Sequence, residues 1–237
     1  MEVFEEKNIP LNIGIVGNLF GQDKPLTAFI KTTINQNGSK LDISNHGWNH
    51  EDFRRFNIDN QSLFIKRTND RIYDVLGIKA SIFIPPFNVF NNDTLIALKQ
   101  NGIKYISSSP DRDPGPYGLS ARNIPYHFPS TALTGDNNET YWFGLNHKET
   151  LNQIDKSIRK YGFAVVGMHP YEFSNKHTYS YKPFFLTEKE GTFVYRDFIK
   201  NWDQAGIDLN QIKELQLLID ELKDKKYRIV PIEGLVS

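Results

Sequence analysis

An α/β fold built on a parallel sheet, open or closed into a barrel, is what this 237-residue sequence predicts. Two observations carry it. Short apolar runs rich in isoleucine and valine alternate with helix-length amphipathic segments, and each helix returns the chain to the same end of the sheet. The segments that follow the strands, SNHGWNH, PPFN, SSPDRDPGP and HPYEF, carry the informative side chains, while the opposite loops are mostly short glycine turns.

The elements follow in order. MEVFEEKN reads as the tail of a helix, and LNIGIVG as a buried strand running to Gly17. In LTAFIKTTINQNG the residues Leu26, Phe29, Ile30 and Ile34 share one helical face, with Gly38 placed as a C-terminal cap. KLDIS is the next strand. A helix from about Asn60 to Leu76 stops at Gly77 and feeds ASIFI, and a helix from about Thr94 to Gln100 stops at Gly102 and feeds IKYIS. KETLNQIDKSIRKYG then leads to FAVVGM, and LNQIKELQLLIDELKDKKY to RIVPI. Between them, Asp111 to Asn146 is an irregular excursion rich in Pro, Gly and aromatics, with short strands expected at IPYHF and TYWFG. No internal repeat or linker interrupts the pattern, so residues 1–237 read as a single domain.

Composition narrows the chemistry. Lys plus Arg equals Asp plus Glu at 28 each, so no net field favours nucleic acid or anionic lipid. The absence of cysteine excludes disulfides, thiolate nucleophiles and cysteine zinc sites, and any metal must be held by His, Asp or Glu. No apolar run approaches the roughly 20 residues of a membrane span, and MEVFEEKN lacks the basic and apolar regions of a signal peptide, so the chain as it stands reads as soluble.

His46 and His50 stand four positions apart in SNHGWNHEDF. If the backbone coils directly after the strand, both imidazoles project to one side and can share an ion, but the spacing alone leaves a solvated turn equally open. The zincin pattern fails because Gly47 stands where the glutamate base belongs. His169 closes the apolar run FAVVGM and precedes Pro170, a placement that suits a general acid or a hydrogen-bonded histidine at the core edge. Pro85 and Pro86 fix the backbone as it leaves ASIFI and hold Phe87 and Asn88, either as a rigid wall beside a pocket or as a stiff exit into the next helix.

Taken in order, HGWNH, the Pro-Pro-Phe turn, the aspartate-bearing loop and the histidine ending a hydrophobic strand resemble the polysaccharide deacetylase family. The resemblance spans nearly the whole chain. It implies a distorted (β/α) barrel of about seven parallel strands and a metal-dependent hydrolase that removes acetyl groups from N-acetylated carbohydrate. On that resemblance His46 and His50 are ligands of a divalent metal, typically zinc, and His169 is the catalytic acid. Pro85, Pro86 and Phe87 then line the substrate groove, with Asn88 and Trp48 beside them. The resemblance also implies a cell-envelope or extracellular setting.

Family members begin with a strand ending in adjacent aspartates, and no Asp-Asp pair occurs here. Ile84 also replaces the arginine that precedes the proline pair in many members. The expectation is therefore a chain that lacks the family's first strand through truncation, binds metal weakly, has low activity, and associates through an open sheet edge. A missing carboxylate would come from Asp111, Asp113, Glu172 or another subunit. The competing function is a non-catalytic carbohydrate-binding domain, with Trp48, Phe87, Tyr117, Trp142 and Tyr171 as stacking faces.

Overall fold

The computed structural model describes residues 1–110, 125–137, 142–174 and 206–236. Chain contacts divide it into two compact units, residues 1–129 with 229–237, and residues 130–228.

The first unit is a parallel sheet with helices on one face. Its elements are α1 (Glu2–Glu6), β1 (Leu11–Ile15), α2 (Lys24–Ile34), β2 (Leu41–Asn45), α3 (Ile58–Leu76), β3 (Ile82–Phe83), α4 (Asn92–Gln100), β4 (Tyr105–Ile106) and β5 (Tyr126–His127). The five strands are parallel and lie in the order β1-β2-β3-β4-β5, so each crossover steps to the neighbouring strand. Leu11 is in register with Leu41 and Ile15 with Asn45, which brings the carboxyl ends of β1 and β2 level beneath the His46 loop.

Helix positions follow from local chemistry. The Asp23 side chain accepts from Leu26 N–H and caps α2, whose C-cap is Asn35. Gly38 is left-handed but lies beyond that cap, in the turn into β2, where it was expected to end the helix. Asn57 caps α3 and Gly77, at φ 76°, closes it as expected. α2 and α3 bury Ile30, Ile72 and Leu76 against Ile15 and Ile43, while α3 and α4 bury Ile65, Ala97 and Leu98 against Phe83 and Ile106. The buried stripe of α3 also contains Gln61, Thr68 and Asn69. Such polar residues are tolerated where they bond to strand ends and turns, as Asn69 does with Asn45 and Gln61 with Thr94.

RIVPI does not form the expected strand. Residues 227–230 are unpaired in any sheet, and Pro231, which has no N–H to donate to a ladder, leads into a 3-10 turn at Ile232–Leu235. That turn brings Glu233 to Ser81, whose hydroxyl donates to it at 2.5 Å.

Glu233 also bears on Asp42. Burial raises the Asp42 carboxyl above its ordinary 3.8, the Glu233 charge adds to this, and hydrogen bonds from Ile43 N–H and the Asn12 amide oppose it. With a raised folded-state value, the stability Asp42 contributes is fully present below pH 3.8 and is lost as pH rises through the folded value. Asp42→Asn should therefore unfold at higher temperature than wild type at neutral pH and lose that advantage below about pH 3.8. Thermal unfolding of both proteins across pH checks this.

The second unit contains β6 (Ala132–Leu133), β7 (Gly135–Asn137), β8 (Trp142–Gly144), α5 (His147–Tyr161), β9 (Val166–Gly167) and α6 (Leu209–Asp224). β6 and β9 pair in parallel, and β7 and β8 antiparallel. Asn146 caps α5 in a reciprocal box with Glu149. His147 ties α5 to α6 by contacts of 2.6 Å to Glu214 and 3.2 Å to Glu221.

Candidate functional site

The backbone that follows β2 is fastened on every side. His46 N–H donates to Ile15 C=O, Gly17 N–H to Gly47 C=O, and Asn18 N–H to Trp48 C=O. The Asn18 amide donates to Asn49 Oδ1 at 2.8 Å. Asn45, fully buried, accepts from Gly47 N–H at 3.0 Å and donates to Ile65 C=O at 2.9 Å and Asn69 Oδ1 at 3.0 Å. Gly47 is left-handed at φ 75°, and a Cβ there would lie 2.6 Å from Glu51 Oε2, so both its conformation and its surroundings require glycine.

On this frame His46 directs Nδ1 to Ile84 C=O at 2.6 Å. A carbonyl can only accept, so Nδ1 carries the hydrogen and Nε2 the lone pair, which is the arrangement of a metal-ligating histidine oriented by an outer partner. The His50 ring stands edge-on to His46 with centroids 4.8 Å apart, and edge-on to Phe87 at 4.6 Å. His50, Phe87 and Asn88 all have φ between 56° and 59°. Left-handed backbone costs a non-glycine residue on the order of 1 kcal/mol, and two such residues meeting at one ring contact, with a third next to Phe87 in the chain, is strain concentrated at a site. The turn at Pro86–Asn88 thus holds Phe87 against the histidine pair, with Pro86 buried below it.

Trp48 packs over Gly17, where a Cβ would come within 2.8 Å of the indole, and Arg71 sits 5.8 Å from the ring centroid. Any sugar stacking on Trp48 shares the ring with that guanidinium.

Glu51 was not singled out from the sequence beyond the acidic run after His50. It is 7% exposed, its Oε2 accepts from Asn49 N–H at 2.9 Å, and its Oε1 has no hydrogen-bond partner among the described residues. Burial raises its carboxyl above the usual range, against backbone hydrogen bonds that lower it. The HED run was the available signal. A second omission is His127, buried at the end of β5, with Nε2 2.8 Å from Ser108 Oγ and its ring edge-on to Phe90.

As a metal centre, the donor set of the loop is two imidazoles. Among the described residues no group of three or more His, Asp or Glu side chains is arranged to hold an ion. The pair therefore fits the role of two ligands and does not fill a three-ligand catalytic set. Asp111, Asp113 and Tyr117 lie outside the described residues, as does the side chain of Trp142.

In the second unit His169 follows β9 and begins the 3-10 turn Pro170–Phe173. Its backbone N–H and Nδ1 both lie 3.0 Å from Glu172 Oε1. The Glu172 side chain is fully buried, and its Oε2 accepts from Thr134 Oγ1 at 2.6 Å. Both oxygens of this candidate third ligand are thus engaged within the second unit. The His169 side chain is 42% exposed, and its ring stacks on Tyr171 at 4.9 Å and 14°.

Residues 2–106 match the model of the polysaccharide deacetylase family, a segment that includes His46, His50 and Pro85–Asn88 but not His169. No curated protein matches the chain. Among solved structures, BA3943 of Bacillus anthracis, a CE4 family pseudoenzyme, shares 14% identity at a TM-score of 0.58, aligned over 100% of this chain and 58% of its own. A BA3943 mutant with restored enzymatic activity aligns over 60% of its length, so the chain spans less than two thirds of these relatives. The family 4 acetyl xylan esterase of Clostridium thermocellum, in complex with a cobalt ion, shares 14% identity at a TM-score of 0.55 over 99% of this chain and 80% of that one. At these identities the likeness is one of fold. The family match over residues 2–106, under half of the chain, and the fold over its whole length both make the chain similar to polysaccharide deacetylases.

Proposed function

We propose that this chain acts as a metal-dependent hydrolase that removes acetyl groups from N-acetylated carbohydrate. The observation that carries the reading is the His46 ring, held by Ile84 C=O with Nε2 as its lone-pair nitrogen, beside His50 at 4.8 Å. In this reading His46 and His50 hold a divalent ion, zinc first, and two imidazoles alone hold it weakly. When bound, such an ion supplies Lewis-acid polarisation of the acetyl carbonyl and a water ionised near neutral pH. Trp48, Pro85, Pro86, Phe87 and Asn88 bind the sugar, with the proline pair holding Phe87 rigid. His169 gives a proton to the departing amine, and carbohydrate is the partner.

A second reading, a non-catalytic carbohydrate-binding domain, is favoured by the two-imidazole donor set. Acetate release from N-acetylglucosamine oligomers, with zinc or cobalt added, separates the two. The hydrolase releases acetate, stops on chelation, and is inactive as His46→Ala. Glycan binding that persists in chelator, with no acetate release under any metal, overturns the hydrolase reading.

A further inference from the structure

Oε1 of Glu51 is the one buried side-chain atom among the described residues that lacks a hydrogen-bond partner, and it lies in the turn that carries both histidines. The carboxylate is 7% exposed and curls back beneath that turn, so close to Gly47 that a Cβ there would meet Oε2 at 2.6 Å. Phe53 and Pro86 crowd the same place, at 3.2 and 3.3 Å from that Cβ. Within it Oε2 accepts from Asn49 N–H at 2.9 Å, and the N–H groups of Glu51 itself and of Trp48 also act on the carboxyl. Burying an unmatched oxygen costs stability, and the bond made by its companion oxygen is the feature that accounts for it.

We infer that Glu51 is a positioning residue for His50: the hydrogen bond from Asn49 N–H to its carboxylate closes a ring of backbone around His50 and holds that residue left-handed, with its imidazole against His46 and Phe87. The bond joins the amide before His50 to the side chain after it. Both soft torsions of His50, φ and ψ, therefore lie inside the closed ring and cannot turn freely while the bond stands. A residue with a Cβ is disfavoured about fivefold or more in the left-handed region, where His50 sits at φ 59°. One hydrogen bond is worth about two- to tenfold, which is the size needed to offset that strain. The two ends of the ring are anchored independently. Asn49 Oδ1 accepts from the Asn18 amide at 2.8 Å, while Asp52 caps the 3-10 turn Phe53–Arg55, whose Phe53 is fully buried. His50 spans these anchors, and the Glu51 bond sets its path between them, giving ring centroids 4.8 Å from His46 and 4.6 Å from Phe87.

This conformation needs neither metal nor sugar. Its use in holding an ion rests on the hydrolase reading, in which His50 is the second imidazole ligand. Glu51 is not itself a ligand there, since among the described residues no three such groups converge. It acts through the backbone, and a His50 released from the left-handed region would turn its ring away from His46.

The test reads the His50 ring in the full chain, stripped of metal by chelator, from carbon–proton correlations of the imidazole C–H groups, with His50→Asn to assign the signals. In wild type they are expected to be displaced from those of unstructured histidine by the Phe87 ring. Glu51→Ala should return them toward the unstructured positions while His127 and His147 keep theirs, which shows that the fold stands. Glu51→Met, which keeps the bulk and lacks the acceptor, should match alanine. Glu51→Gln should keep the wild-type spectrum, because its amide oxygen accepts from Asn49 N–H. Zinc retention should fall about tenfold or more in Glu51→Ala and stay near wild type in Glu51→Gln. His50 signals at their wild-type positions in Glu51→Ala overturn the inference, as does a Glu51→Gln protein that behaves like alanine. If the alanine and methionine variants do not fold, the wild-type Asn49 amide decides: slowed exchange with solvent supports the closed ring, and exchange at the rate of an unstructured peptide overturns it. A His50 ring that moves in Glu51→Ala while zinc retention is unchanged counts against the hydrolase reading and leaves the role of Glu51 standing.

Discussion

Zinc retention should fall by about 100-fold or more when either His46 or His50 is replaced by alanine. Loss of an outer partner of a ligating histidine costs about 10–100-fold in metal affinity, and loss of the ligand itself costs at least as much as the upper end of that range. The loop around the pair is tied to β1 through Ile15 C=O, to the turn after β1 by Gly17 and Asn18, and to α3 through Asn45, so a neighbouring side chain cannot swing in to replace the missing imidazole. Elemental analysis after dialysis against a limiting zinc buffer reads the effect. Thermal unfolding reads it independently, because an ion present at a hundred times its dissociation constant adds about 2.7 kcal/mol to wild type. Wild type and both variants retaining the same zinc would remove the metal from this site and favour the carbohydrate-binding reading.

Much of this site was legible as sequence, and for a physical reason. The alternation of strand and helix, with stops such as Gly77, is written in local periodicity and local backbone preference, and it places His46, Pro85 and His169 after strands. The ring contact between His46 and His50 follows from their spacing once the backbone turns. Its manner does not, since it depends on a left-handed His50 that no residue preference announces. The strands were harder to read. ASIFI and IKYIS each pair over only two residues, because paired length depends on neighbours rather than on the strand's own composition. Thr134 and Glu172, 38 positions apart, carry no shared signal, whereas His169 and Glu172 do. HPYE is a helix start with an acid at its third turn position, and the proline after His169 turns that acid back onto it. Asn45 is the least legible, a polar residue ending a strand whose three partners come from the loop and from α3.

Asn45→Ala is accordingly expected to cost about 3–5 kcal/mol, near the upper limit for a single substitution, because it breaks a buried network without replacing any of it. The Gly47 N–H loses its acceptor at a left-handed turn where the backbone cannot rotate to find another, and Asn69 Oδ1 loses its donor inside the α3 interface. The cavity left by the amide adds to both. Urea unfolding, with an unchanged dependence on denaturant, gives the stability change directly. The same variant should weaken zinc binding although Asn45 touches no ligand atom, since Gly47 links its amide to the turn that carries both histidines. Asn45→Asp distinguishes the contributions: a carboxylate can accept from Gly47 N–H but cannot donate to Ile65 C=O or Asn69 Oδ1, so it should keep more of the metal affinity than of the stability. A cost below about 1 kcal/mol for Asn45→Ala would mean that the backbone bonds from Gly17 and Asn18 hold the loop by themselves.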